Sequence, residues 1–302
     1  MGMKMKIMHS AASESTSKVL LWLIEHGTLV NELDALNRTP LYYACAARRL
    51  NNVLILVRHG AILEHGNTIE TLDDAANLKL VSFIRDAFKD LNPSATATEM
   101  MHLAAGRDRV DVIATLMRYT VSLSVTDSKR RQALYSAIMS DARKTVKYLL
   151  KHHVNLSCKD NRGRTAIHHA ATGDKLVLFN MLLDGGADIS GKDKADLTPL
   201  HLSIIYKPMK VFRCLVSQGV DHNCKDKLGM TPLHIAAMLN NREAMKDLLS
   251  HGADCTLKNV QGHTAATIAI EHSAREAIIV LVEYGAVPER LIQYIRLAKV
   301  TP

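Results

Sequence analysis

The residues Thr231-Pro232-Leu233-His234 have counterparts at a fixed step in both directions along the chain, and the step is 33 residues. Going back, Thr198-Pro199-Leu200-His201 and Thr165-Ala166-Ile167-His168 stand at that interval, then Gln132-Ala133-Leu134-Tyr135 and Glu99-Met100-Met101-His102. Thr264-Ala265-Ala266-Thr267 follows the cleanest copy, and Thr39-Pro40-Leu41-Tyr42 and Lys6-Ile7-Met8-His9 are again 33 apart. Such self-similarity excludes a fold built around one central core. A unit this short cannot bury its apolar face alone, so neighbouring copies must stack.

Each copy predicts two short helices and a turn. Thr at the first position can cap a helix by accepting a backbone N–H, and Pro fits the first turn, where its missing N–H costs nothing. The Ala236-Ala237 pair keeps that helix thin enough for close stacking. A second helix follows with apolar residues at helical spacing, as in Val211, Phe212, Leu215 and Val216, or Met245, Leu248 and Leu249. Gly219, Gly252 and Gly285 fall where a left-handed residue ends that helix. The stretch Asp254 to Gly262 carries the Asp, Asn and Gly of a projecting hairpin.

With these elements in place, the chain resembles an ankyrin-repeat protein. The resemblance rests on Gly252-Ala253-Asp254 and Gly186-Ala187-Asp188, the turn residues Asp160, Asp193 and Asp226, the glycines Gly163, Gly229 and Gly262, and the Thr-Pro-Leu-His copies. It implies an all-α ankyrin-repeat solenoid of helix-turn-helix-hairpin units with helical end caps, about nine copies covering nearly the whole chain. Thr39 and Glu99 are 60 residues apart, six fewer than two periods. The intervening copy is degenerate, with Asp73 where His would stand, and it runs into the small polar stretch Asn92 to Thr98. The expected organisation is therefore an N-terminal block over residues 1–92, a possible joint at 93–98, and a C-terminal block over 99–302. Lys4 and Lys6 put charge beside the first helix, and Pro288-Glu289-Arg290 opens a last, capping helix with Leu291, Ile292 and Ile295 on one side.

Composition narrows the function classes. No segment approaches the ~18 apolar residues that span a bilayer; the apolar run Val19 to Ile24 is predicted to be the buried core of a second helix. The five cysteines form no Cys-x-x-Cys pair, which favours a reducing, cytoplasmic setting. The net charge of +8 raises nucleic-acid binding as an alternative, but Lys159, Lys192, Lys225 and Lys258 simply recur once per copy, and no aromatic residues interleave with them to stack bases. Acidic protein partners suit such a surface better.

The 15 histidines lose their catalytic promise once sorted by phase. His9, His102, His168, His201 and His234 share the Thr-Pro-Leu-His position, while His26, His59, His152 and His251 end second helices, where a polar ring suits exposed carbonyls. The adjacent pairs His152-His153 and His168-His169 lack the i, i+4 spacing of a helical metal site. No phosphate-binding loop, nucleophile elbow or kinase motif is present, and Cys158 and Cys224 are the cysteines placed to meet a histidine across copies. Neither an enzyme nor a metal or cofactor site is expected.

The resemblance places partner contacts on a concave face made of hairpin tips and first helices. Carried onto this chain, it singles out Arg162, Arg164, Lys194, Leu197, Ile205, Tyr206, Lys227, Leu228, Met230, Met238 and Leu239. Their apolar members would form an exposed patch with basic flanks, suited to an extended or helical peptide with apolar anchors and acidic flanks. The resemblance also implies possible asparaginyl hydroxylation at Asn31 and Asn223, each eight residues after a Leu. The expected function is a non-enzymatic, monomeric protein-interaction scaffold or adaptor. The alternatives are a microbial or viral ankyrin effector acting on host-cell proteins, and a regulator recruited to nucleic acid.

Overall fold

The computed structural model describes residues 7–61, 77, 79–84, 86, 97–119 and 121–286. The chain divides into two compact units, residues 1–128 with 132–152, and residues 129–131 with 153–302. In the first unit helices come in pairs: α1 (Ile7–Ser13) and α2 (Lys18–Glu25), α3 (Pro40–Ala46) and α4 (Leu50–Arg58), α5 (Ala97–Gly106) and α6 (Val110–Arg118), α7 (Ala133–Met139) and α8 (Arg143–Lys151). First helices stack on first helices, α1 on α3 and α5 on α7. The second unit repeats the arrangement with α9 (Ala166–Ala170) and α10 (Leu176–Asp184), α11 (Pro199–Tyr206) and α12 (Met209–Ser217), α13 (Pro232–Met238) and α14 (Arg242–Ser250), α15 (Ala265–Glu271) and α16 (Arg275–Glu283). The described residues thus hold eight such pairs and no strand, only a single bridge between Thr126 and Gln132.

The local chemistry follows the sequence pattern. The Thr39, Thr231 and Thr264 hydroxyls accept from the third backbone N–H of their helices. In three copies the Thr N–H also donates to the imidazole of the His three residues on: Thr165 to His168 at 3.2 Å, Thr198 to His201 at 3.1 Å, Thr231 to His234 at 3.1 Å. Nδ1 is thereby an acceptor and the proton sits on Nε2, which donates to a carbonyl of the following hairpin: Gly191 for His168, Met230 for His201, His263 for His234. Each imidazole therefore pins its own helix start to the next repeat. Burial pushes all three rings below the usual histidine range, so they are neutral pins at pH 7. Gly229 shows why a hairpin tip requires glycine. Its φ is +70°, and a Cβ there would meet the Val260 nitrogen at 2.9 Å.

The first repeat departs from expectation. In the run Val19 to Ile24 only Leu20 and Leu23 are buried, while Val19, Leu21 and Trp22 are exposed. A second helix packs one side against its repeat and its neighbours, so a run apolar all round leaves a face uncovered. Ile7 at 72% and Trp22 at 56% are accordingly exposed, while Lys4 and Lys6, on which the expected polar cap rests, lie outside the described residues. The degenerate motif Glu70 to Ala76, residues 93–96 of the predicted joint, and the last helix from Pro288 lie outside the described residues; 97 and 98 already belong to α5.

Candidate functional site

The hairpin tips of the second unit are rigid because each turn residue ties down its own loop. One Asp226 carboxylate oxygen accepts the backbone N–H groups of Leu228 and Met230, both at 2.8 Å. Asp160 and Asp193 do the same for Arg162 and Arg164, and for Ala195 and Leu197. Consecutive tips are then joined through the backbone. Lys194 N–H donates to the Arg162 carbonyl at 2.8 Å, Lys227 to Ala195 at 3.1 Å, and Val260 to Leu228 at 3.0 Å. Side chains on successive tips are presented in register as a result.

On this frame Arg162, Lys194, Lys227 and Leu228 are exposed at the tips, and Ile205, Tyr206 and Met238 are exposed at the ends of α11 and α13. Leu228 at 63% and Tyr206 at 51% are the most open apolar side chains of the predicted set. Leu197 and Leu239 are half-buried. Three corrections apply. Met230 is only 8% exposed; its sulfur faces the Asn259 amide at 3.5 Å and its backbone is bonded at both ends, so it is core to the tip and not a contact. Arg164 is half-buried and committed to Asp193, Nε to Oδ2 at 3.1 Å. Val260, absent from the predicted set, is 70% exposed beside Leu228 and extends the apolar strip.

Two further features had no mark in the motif pattern. Burial opposes the Arg164 charge, but the Asp193 carboxylate and the Tyr206 side chain hold its pKa above the usual range. Tyr206 thus lies near a cation held by Asp193. Beside it, His169 Nε2 lies 3.0 Å from Asp160 Oδ2. Burial pushes this imidazole down to about 4, against the pull of the Asp160 carboxylate. Both pairs join residues nine or more apart in sequence, and only the repeat frame brings them together.

The recurrent lysines have a structural task. Lys159 Nζ donates to the Lys192 carbonyl at 3.4 Å, Lys192 to Lys225 at 3.1 Å, and Lys225 to Lys258 at 2.9 Å. The Cys–His juxtaposition considered from sequence exists for Cys224, whose sulfur is 3.9 Å from His201 Nδ1. Burial raises the Cys224 thiol pKa, and the nitrogen facing it already accepts from Thr198. An activated thiolate requires the reverse on both counts. Asn31 and Asn223, at equivalent positions, both bridge hairpins: Asn31 Nδ2 donates to the Gly60 carbonyl at 3.1 Å, and Asn223 Oδ1 accepts the Asp254 N–H at 2.8 Å. Among the described residues no group of three His, Cys, Asp or Glu side chains could hold a metal ion, and no helix is long and apolar enough to cross a membrane.

Comparison with known proteins agrees with this architecture. A family described as ankyrin repeats matches residues 72–160, 143–226 and 200–291 in three copies. Among solved structures 488 chains match, a breadth that identifies the fold and not the partner. One is a chain from the Bd0816 predatory endopeptidase of Bdellovibrio bacteriovorus in complex with the immunity protein Bd3460. It is 26% identical, with a TM-score of 0.55, over 63% of this chain and 98% of that one. No curated protein matches significantly.

Proposed function

Because the chain belongs to the ankyrin-repeat family, whose repeats are protein-interaction modules and typically not enzymes, we propose that its second unit binds a partner protein through the hairpin tips and first-helix ends around Tyr206 and Leu228. The observation that carries the reading is the strip Ile205, Tyr206, Leu228, Met238 and Val260, exposed on a rigid frame and bordered by Arg162, Lys194 and Lys227. Apolar side chains exposed on a rigid frame beside basic ones suit a surface kept for association, and a tyrosine among them suits an anchor. The partner segment carries two or more apolar anchors with Asp or Glu beside them, since the border is basic. The protein acts as a non-enzymatic scaffold or adaptor, or in the same chemistry as an effector on host-cell proteins. Its similarity to a chain from an endopeptidase–immunity complex accords with a role exerted through a protein partner. Five free cysteines support action inside a reducing, cytoplasmic compartment.

The test is a peptide array carrying paired apolar anchors with and without acidic flanks, probed with wild type and with the double variant Tyr206→Ala, Leu228→Ala. Wild type selects the acidic-flanked peptides and the variant loses them, while its melting temperature stays within about 2 °C because neither side chain is core. Equal binding to neutral peptides, or collapse of the variant's fold, contradicts the reading. The nucleic-acid alternative predicts binding to duplex or single strand with a steep salt dependence; the lysine ladder does not favour it, because no aromatic residues interleave with it to stack bases. A smaller proposal is hydroxylation at Asn31 or Asn223; peptide masses from the native cell without an added oxygen dispose of it.

A further inference from the structure

Helix α2 (Lys18–Glu25) carries the chain's single tryptophan on its outer face. Lys18, Leu21, Trp22 and Glu25 are all exposed and stand at i, i+3, i+4 and i+7, so they form one stripe while Leu20 and Leu23 point into the repeat. Trp22 is held in place. Its ring stacks on His26 with centroids 4.0 Å apart, and His26 Nδ1 is 2.8 Å from the Trp22 carbonyl. In the matching stretch of α14, Lys246 and Asp247 make ion pairs with Glu283 and Arg213 of neighbouring repeats. Leu21 and Trp22 stand in the places of those two charges.

The charges of α2 are placed against its own dipole. Lys18 sits in the first turn, where the helix end is partially positive, and Glu25 in the last turn, where it is partially negative. Among the described residues neither makes an ion pair with another side chain. A second α2 laid antiparallel across the first reverses both defects. Lys18 then lies at the negative end of the facing helix beside its Glu25, Glu25 lies at the positive end beside its Lys18, and the two Trp22–Leu21 pairs meet between them. The stripe reads plus, apolar, minus, and is complementary to itself under a two-fold axis.

We infer that α2 is an isologous dimerisation surface whose occupant is the α2 of a second copy of this chain. This is independent of partner binding by the second unit and departs from the monomer expected from sequence. The contact is small, so the dimer is weak and reversible.

Sedimentation velocity of the full chain over about 1 to about 200 µM, with Trp22 emission recorded in parallel, tests it; that range spans the affinity of a small interface. The expected result is a rise in mass toward the dimer with a concurrent blue shift of Trp22, both absent in dilute samples. Lys18→Glu alone and Glu25→Lys alone each place like charges opposite one another at two symmetric points, and each weakens the dimer about tenfold or more. The double reversal Lys18→Glu with Glu25→Lys restores complementarity and brings the dissociation constant back to within about threefold of wild type. That rescue also excludes misfolding as the cause of the single-variant defects. A monomer at every concentration, a blue-shifted Trp22 in dilute monomer, single reversals without effect, or a double variant as weak as the singles each overturns the inference.

Discussion

His169 occupies a slot that Leu202 and Ile235 fill in the next two repeats, and unlike them it carries a proton equilibrium into a buried site. Its folded pKa of about 4 lies below its ordinary 6.5, so as pH falls the unfolded chain takes up the proton first. Stability is therefore full above about 6.5 and declines progressively down to about 4, with a slope approaching 1.4 kcal/mol per pH unit for one such histidine. His168, His201 and His234 are shifted in the same direction and add to the decline. The depressed carboxylates Asp34 and Asp160 act in a separate window, below the ordinary carboxylate range. Replacing His169 by Leu, the residue of the following repeat, is expected to flatten the profile by about one proton's worth; urea denaturation at pH 7, 6 and 5 measures it, and parallel profiles for wild type and variant contradict it. The capping Thr and the His three residues on were legible in sequence because both recur with the period, whereas the carbonyls those imidazoles reach keep no single step: Gly191 lies 23 residues on, Met230 and His263 29. The burial of Met230 was not legible, since it depends on Asn259 of the next tip, and a motif position says nothing of what covers it.

Helix α12 shows how sharply consequence divides across one element. Phe212 is fully buried, while the adjacent, exposed Arg213 pairs with Glu243 and Asp247 of α14, each at 3.3 Å. Exposed pairs of this kind contribute about 0–1 kcal/mol, because the side chains lose entropy and water screens them. An emptied aromatic site in a packed core costs about 3–5 kcal/mol. Phe212→Ala should therefore lower the urea midpoint strongly, and its neighbour Arg213→Ala should scarcely move it; comparable losses would mean that the ion pairs of the second helices hold the repeats together. The apolar spacing of Val211, Phe212, Leu215 and Val216 was enough to read the inward face from sequence. The same reasoning failed on α2, where six consecutive apolar residues satisfy any periodicity and so give no direction. Only packing shows that Leu20 and Leu23 are inside and Trp22 is out.

At the scale of the molecule, each unit is a row of repeats whose stability is close to a sum of repeat and nearest-neighbour terms, so protection should be graded rather than uniform. In α13 every residue from Pro232 to Ala237 is buried, and its start is pinned by Thr231 and His234 to the next hairpin. In α2 two of eight residues are buried, and Ser17 before it makes no capping bond to the helix. Native-state hydrogen exchange is therefore expected to find the slowest amides in α13 and far faster ones in α2; identical protection in the two would show that the chain opens as one cooperative body. The period announced the repeats but not which helices lie bare, because exposure depends on what packs against each one. Exposure of α2 then has a consequence particular to this chain. If a second copy covers it, raising the protein concentration slows exchange in α2 and leaves α13 unchanged, whereas a general concentration effect slows both.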